Sequence, residues 1–510
     1  MPRLGNLTSS WIIVPLACAL VVIGAKCWMI ARYGTPTPFW DQWDAEGVNL
    51  YPKYLGGTLQ FPDLIAPHNE HRILVTRLWS LLLLDLGGYW DSILQMLANT
   101  LLLGSFVALL VVAFRPILDR LAWTAFALFA SAIFALPFGW QSTLSSFHSQ
   151  WYFLLLFSLG GLLVIVDAAA LTPRWWLAVL LLILSYFSMA GGVLTAAAAF
   201  AVAALQFIVG RRSGLRELLA LAILASVTVA MVLAIPATAA HAAYKPSSFG
   251  QYFQALLEIL SWPAPPGRQP AIIDLLRAAL MNAPVLLVGI QVIRQRPPLA
   301  DRRWLLLAFA GWAALQAATI AYARSASPIA SRYLDLFSIF LLLNGVCVFY
   351  LVGVYKATRQ RLAVGAMALW FVVVLLGVTT HTLRYSIPQM ATIGVAGRAA
   401  AENLRAYLDT NDIRVLENKP PFYIPYPDAN RLATIVSQPV IRALLPPELV
   451  GEASAARAQQ RGLARFTGGP IEALKNFALR WGALLIPIGL TLFFASLTMQ
   501  LRREPATAPA

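Results

Sequence analysis

Two short stretches early in the chain each gather several side chains that could do chemistry. In PFWDQWDAEG (38–47), Asp41, Asp44 and Glu46 stand among tryptophans, and in PHNEHRI (67–73), His68, Glu70, His71 and Arg72 follow almost without a break. A carboxylate within reach of a hydroxyl can take its proton, and a guanidinium or imidazolium can hold an anion. On a helix, Asp41 and Asp44 would share one face at i and i+3, with Trp40 and Trp43 on a neighbouring face. The plainer alternative is a solvated turn beside an aromatic belt. His68 and His71, three apart, could also line one helical face. With a carboxylate they could hold a divalent metal ion, or the same group could stabilise a bound phosphate or sugar.

Further along, YARSASPIASRYLDLF (322–337) contributes Arg324, Arg332 and Tyr333. Arginine here either forms a structural ion pair, with Asp335 or a carboxylate of the first loop, or binds a phosphate, whose geometry its fork matches. FGWQSTLSSFHSQWYF (138–153) carries Trp140, Gln141 and His148, and HAAYKPSSFGQYF (241–253) carries His241, Tyr244 and Lys245. Such groups stack on and hydrogen-bond sugar rings, and aromatic residues at span ends equally serve as interfacial anchors. Cys18, Cys27 and Cys347 all lie in apolar segments and support neither a disulfide framework nor a thiolate metal site.

The elements that must position these residues are membrane helices. Of 510 residues, 59% are hydrophobic and only 12% charged, well beyond the roughly 45–50% apolar content of soluble domains. An all-α, polytopic integral membrane protein is expected, with about twelve spans, each about long enough to cross a ~30 Å hydrocarbon core. The apolar runs are 11–31, 92–114, 121–136, 151–166, 175–189, 193–209, 218–236, 276–293, 303–321, 334–354, 362–381 and 478–499. The first continues past any plausible cleavage site and reads as a span, not a signal peptide.

A net charge of +15 could suggest a nucleic-acid partner, but the basic residues collect in alternate short loops: 115–120, 210–217, 294–303, 355–361 and the tail 501–505. Those loops are cytoplasmic under the positive-inside rule, so basicity sets topology and no nucleic acid is implied. Both termini then lie inside, and the reactive loops face the other side, the periplasm of a bacterial inner membrane. The inside loops are too short for a nucleotide-binding domain and lack a Gly-rich phosphate loop. Polar length is concentrated outside, in 32–90, 237–275 and 382–477. In the first of these, 71–90 reads as an interfacial helix or a short re-entrant segment. The last, with a helix expected at 394–412 and a Pro-rich stretch at 418–428, reads as a small domain or lid before a final span and tail, 478–510.

An acidic motif just after the first span (FWDQWDAEG), interfacial helices in the first outer loop, about twelve spans and an outer SRY (331–333) together resemble the GT-C fold of polytopic glycosyltransferases, which use polyprenyl-phosphate-linked sugars outside the cytoplasm. The resemblance covers the whole chain in architecture, with residues 1–381 as the transmembrane module. It implies a catalytic carboxylate at Asp41, with Asp44 as the other candidate, and a leaving-group role for Arg332. The implied function is inverting transfer of a sugar from a lipid-linked donor to a glycan, lipid or protein acceptor of the cell envelope. The competing readings are a polysaccharide polymerase and a lipid-linked-sugar flippase or transporter. Coupled transporters place ionisable groups near the bilayer midplane, whereas the span centres here are nearly free of them.

Overall fold

The computed structural model describes residues 8–264, 270–452, 456 and 459–501. The basic tail expected at 501–505 therefore lies outside the described residues beyond Leu501. Among those described the chain is helical, with a single two-residue bridge between His68 and His71 in place of any sheet. The apolar runs become α1 (Thr8–Tyr33), α5 (Ser92–Phe114), α6 (Arg120–Ala135), α8 (Ser149–Ile165), α9 (Pro173–Ser188), α10 (Val193–Ile208), α11 (Leu215–Leu233), α13 (Ala271–Gln295), α14 (Arg303–Ala323) and α15 (Ser331–His381). The first loop holds the short helices α2 (Tyr51–Leu55) and α3 (Phe61–Ile65) and the longer α4 (Leu74–Gly87). The remaining connections hold α7 (Trp140–Thr143) and α12 (Phe249–Leu260). Ten helices among the described residues are long and apolar enough to cross a membrane, and α6 and α9 are shorter apolar helices at two further expected spans. This is the architecture of a polytopic membrane protein.

The runs 334–354 and 362–381 both appear within the helical stretch α15 as separate apolar spans, Ser331–Tyr355 and the start of Gln360–Thr410. They lie side by side and antiparallel: Asp335 near the start of the first lies against Gly139 and His381 near the end of the second against Phe138, while Phe349 meets Phe371. One expected boundary is corrected. The final run, expected to begin at 478, starts earlier as the helix Ala464–Trp481, breaks at Gly482–Leu484 and resumes as Leu485–Leu501. Lys475, ion-paired with Asp91 at 2.7 Å and Glu472 at 2.9 Å, pins the first half beside α4 and α5. Gly489 lets the second half close on α1, where a Cβ would stand 2.8 Å from the Ala17 carbonyl.

The loops sort to opposite ends. Arg115 lies over Trp11, Arg212 donates to the carbonyls of Ile165, Val166 and Ala168, and Arg302 reaches Asp167, so these basic loops share one end. At the other end, the first loop and the segment after α15 share a core. There Trp43, Tyr51, Leu84 and Trp90 pack on Leu404, Leu408, Leu432, Ile435, Ile441 and Leu445, from α16 (Ile387–Thr410), α17 (Ala429–Val436) and the turns that follow. Burying each such side chain contributes about 1.5–3 kcal/mol. The 382–477 segment and the first loop are therefore one packed unit, and α16 fulfils the helix expected at 394–412.

Candidate active site

Four of the five histidines converge at this end, with Asp41, Glu70, Arg324 and Arg332. Asp41 sits in a helical turn that widens into a π-helix over Trp43–Val48. Its Oδ2 lies 3.6 Å from His68 Nε2, and 56% of its side chain stays exposed. The His68 imidazole, outweighing partial burial and joined by the charges of His148 and Arg332, holds Asp41 below the usual carboxylate range.

The turn geometry overturns the helical expectations for both motifs. Asp44 does not share a site with Asp41: it turns outward, accepting from Tyr426 Oη at 2.7 Å and Arg431 Nη2 at 3.0 Å. The π-winding over 43–48 changes the helical register, so i and i+3 no longer fall on one face. His68 and His71 are not on a helix either; they face each other across a turn closed by reciprocal backbone hydrogen bonds of 2.8 and 3.0 Å, with Asn69 at φ +51°. The bridge sends the rings to different carboxylates, His68 to Asp41 and His71 to Glu70. Among the described residues no group of three or more His, Cys, Asp or Glu side chains is arranged to hold a metal ion, so the metal site considered for His68 and His71 does not fit.

Glu70 is the centre of a second cluster. Its carboxylate receives Arg324 Nη2 at 2.9 Å and stands 2.7 Å from His241 Nδ1 and 3.9 Å from His71 Nε2. Burial raises its pKa, but the neighbouring His71 ring, a backbone hydrogen bond, the Arg324 guanidinium and the His241 ring together prevail, leaving it below the usual range. His71 is lowered to about 4, mainly by burial, and its Nδ1 accepts from the Ala190 amide at 3.4 Å, so the neutral ring carries its proton on Nε2. Arg324 is thus committed to Glu70 and lies over the Tyr244 ring at 5.3 Å. Of the two pairings considered for it, the loop carboxylate is the one formed.

Arg332 differs. Its guanidinium makes no hydrogen bond or ion pair with any described residue, and it lies over the Tyr333 ring, 4.9 Å from the centroid. The backbone around it is tightly held: Arg332 N donates to Gln141 Oε1, Gln141 N to Ser331 Oγ, and Ser331 Oγ to the Phe138 carbonyl. Asp335, the other partner considered for Arg332, points away, its carboxylate filling the space where a Gly139 Cβ would stand. His148, half-buried beside the buried Phe147, leaves its own buried Nδ1 without a hydrogen bond.

Several expected ligand-binding residues are placed elsewhere. Glu46 is walled in, accepting from Gln42, Tyr51, Ser80, Trp90 and Gln95, and burial raises its pKa. Arg72 donates to the carbonyls of Ile65 and Ala234, Tyr333 packs on Trp151, and Lys245 lies over the exposed ring of Tyr322. A cavity of about 220 Å³ lined by Ser261, Pro263, Arg277, Met281, Val373 and Gly377 shares no residue with the cluster.

Three residues were not anticipated. Gln42 links Glu46, Gln95 and Ser146, tying the Asp41 turn to the turn that carries His148. Lys26, buried within α1, donates to the Leu136 carbonyl just below the Phe138–Gly139 turn. A lysine inside an apolar run was the available signal for it; nothing in composition or spacing marks Gln42 or Gln95. No protein-family model, curated protein or solved structure matches the chain.

Proposed function

We propose that the protein is an inverting glycosyltransferase of the bacterial inner membrane, using a polyprenyl-phosphate-linked sugar on the periplasmic side. Asp41 takes the proton of an acceptor hydroxyl, whose oxygen attacks the anomeric carbon. The bond from that carbon to the phosphate oxygen breaks, its electron pair stays on the phosphate, and Arg332 offsets the charge that develops there. A donor held in the membrane fits the absence of a Gly-rich phosphate loop from the sequence.

The observation that supports this reading best is that a partly open Asp41, held below the usual carboxylate range, feels the charge of Arg332, whose guanidinium makes no hydrogen bond or ion pair among the described residues. A base within the field of a cation that can receive a phosphate is what transfer from a phosphate ester requires. Glu70, by contrast, is engaged by Arg324 at 2.9 Å and His241 at 2.7 Å, which suits it to shape the site and not to act as the base.

Lipid extracts from a strain lacking the protein test the reading. Accumulation of a lipid-linked sugar, with loss of that sugar from a surface glycan, lipid or protein, supports it. A sugar donor trapped on the cytoplasmic face, with transfer intact once the donor is supplied outside, contradicts it in favour of a flippase.

A further inference from the structure

Immediately before Asp41 the backbone takes an unusual course. Trp40 has φ +49° and Phe422 has φ +70°, the left-handed region that bulky residues rarely occupy and keep only where their surroundings hold them. Here Trp40 N donates to the Pro425 carbonyl at 2.8 Å, joining the first loop to the Pro-rich turn 418–428. The two strained residues stack on each other, centroids 5.5 Å apart and planes 26° from parallel. Phe39 completes the group, 5.8 Å from Trp40 and 6.1 Å from Phe422.

Stacking does not bury them. Trp40 remains 39% exposed and Phe422 40% exposed. Their rim is polar: Asp41 is the next residue, and Asp44, Tyr426 and Arg431 form a hydrogen-bonded group on the same turn and its partner segment. Interfacial anchoring needs only single rings at the right depth, and gives no reason to clamp two left-handed residues from distant parts of the chain against one another.

We propose that Phe39, Trp40 and Phe422 form the platform on which the acceptor lies, and that the acceptor is therefore a saccharide. This rests on the reading of Asp41 as the base. A sugar ring offers an apolar C–H face to the aromatic surface, while its hydroxyls donate to carboxylates at the edge, one of them to Asp41. A polypeptide acceptor fits less well, because among the described residues there is no strand edge on which an extended peptide could align.

The test is saturation-transfer NMR on the full-length protein in nanodiscs, with methyl pyranosides and methyl furanosides as probes. Saturation of the ring C–H protons of at least one probe is expected, with apparent affinity weakened about tenfold in Trp40→Ala and Phe422→Ala. Trp40→Phe, which keeps a ring, should retain the signal. Phe422→Leu, which fills the space without a π face, replaces the alanine variant should that one unfold. Asp41→Asn should bind the probes yet fail in transfer, which separates the platform from the chemistry. No saturation of any probe, or saturation unchanged by loss of the rings, overturns the proposal while leaving the assignment of Asp41 to be judged by transfer alone. Quenching of Trp40 by brominated lipid, to the same extent with and without sugar, also overturns it and makes the platform a membrane anchor.

Discussion

Asp41 and Asp44, three positions apart, face opposite partners: Asp41 Oδ2 is 3.6 Å from His68 Nε2, while Asp44 Oδ1 is 3.0 Å from Arg431 Nη2. The π-helical turn Trp43–Val48, which begins between them and contains Asp44, separates a carboxylate open to the site from one engaged by Tyr426 and Arg431.

That separation predicts unequal consequences of losing each charge. Asp44→Asn removes a half-exposed ion pair worth about 0.2–1 kcal/mol, so folding should persist. Transfer should fall by less than about tenfold, since the base is untouched. Thermal unfolding in detergent, together with initial rates, measures both.

The pH dependence follows from two groups. Asp41 is held below its ordinary 3.8, so the base form persists from neutral pH into the acid range, and the rate should decline only below about pH 4. His68→Gln removes the main cause of that depression and should move the acid limb upward. Stability follows His71, whose pKa drops from 6.5 to about 4 on folding. In that interval the unfolded chain binds more protons, so the stabilising contribution is complete above about 6.5 and is lost as pH falls toward 4. Unfolding midpoints recorded between pH 7 and pH 4 should fall, and less steeply in His71→Asn.

Among the described residues the Arg332 guanidinium has no hydrogen-bond or ion-pair partner to lose. Arg332→Gln should therefore leave expression and the unfolding midpoint nearly unchanged while lowering kcat by about 10²–10³-fold. Arg332→Lys should fall between, because it keeps the charge without the planar fork. A parallel loss of folded protein would instead mark Arg332 as structural.

Glu46 behaves in the opposite way. Glu46→Gln puts an amide N–H₂ among five donors, so at least one loses its acceptor, at a cost of about 1–3 kcal/mol. Reduced yield of folded protein is expected, and activity per folded molecule should change less than yield.

The membrane class and the placing of helices were legible because a run of about twenty apolar residues has few alternatives to a membrane helix. The sorting of loops by arginine was legible for a similar reason: Arg115, Arg212 and Arg302 do lie at one end of the bundle. Residue types at the site were also visible, since Asp41, His68, Glu70 and Arg332 are conspicuous in so apolar a chain. Their partners were not. Whether Asp44 shares a face with Asp41 depends on a π-turn, and whether His68 and His71 point together depends on a two-residue bridge closed by backbone hydrogen bonds. Neither leaves a periodic trace. The contacts of Arg431, Tyr426 and Phe422 with the first loop join segments hundreds of residues apart, which no local pattern encodes.

The most direct measurement is transfer by Asp41→Asn in proteoliposomes supplied with the lipid-linked monosaccharide that accumulates when the protein is absent. A loss of about 10²–10⁴-fold in rate, with normal protein level and an unchanged unfolding midpoint, is predicted. Transfer at the wild-type rate would contradict the account, whatever the other variants do.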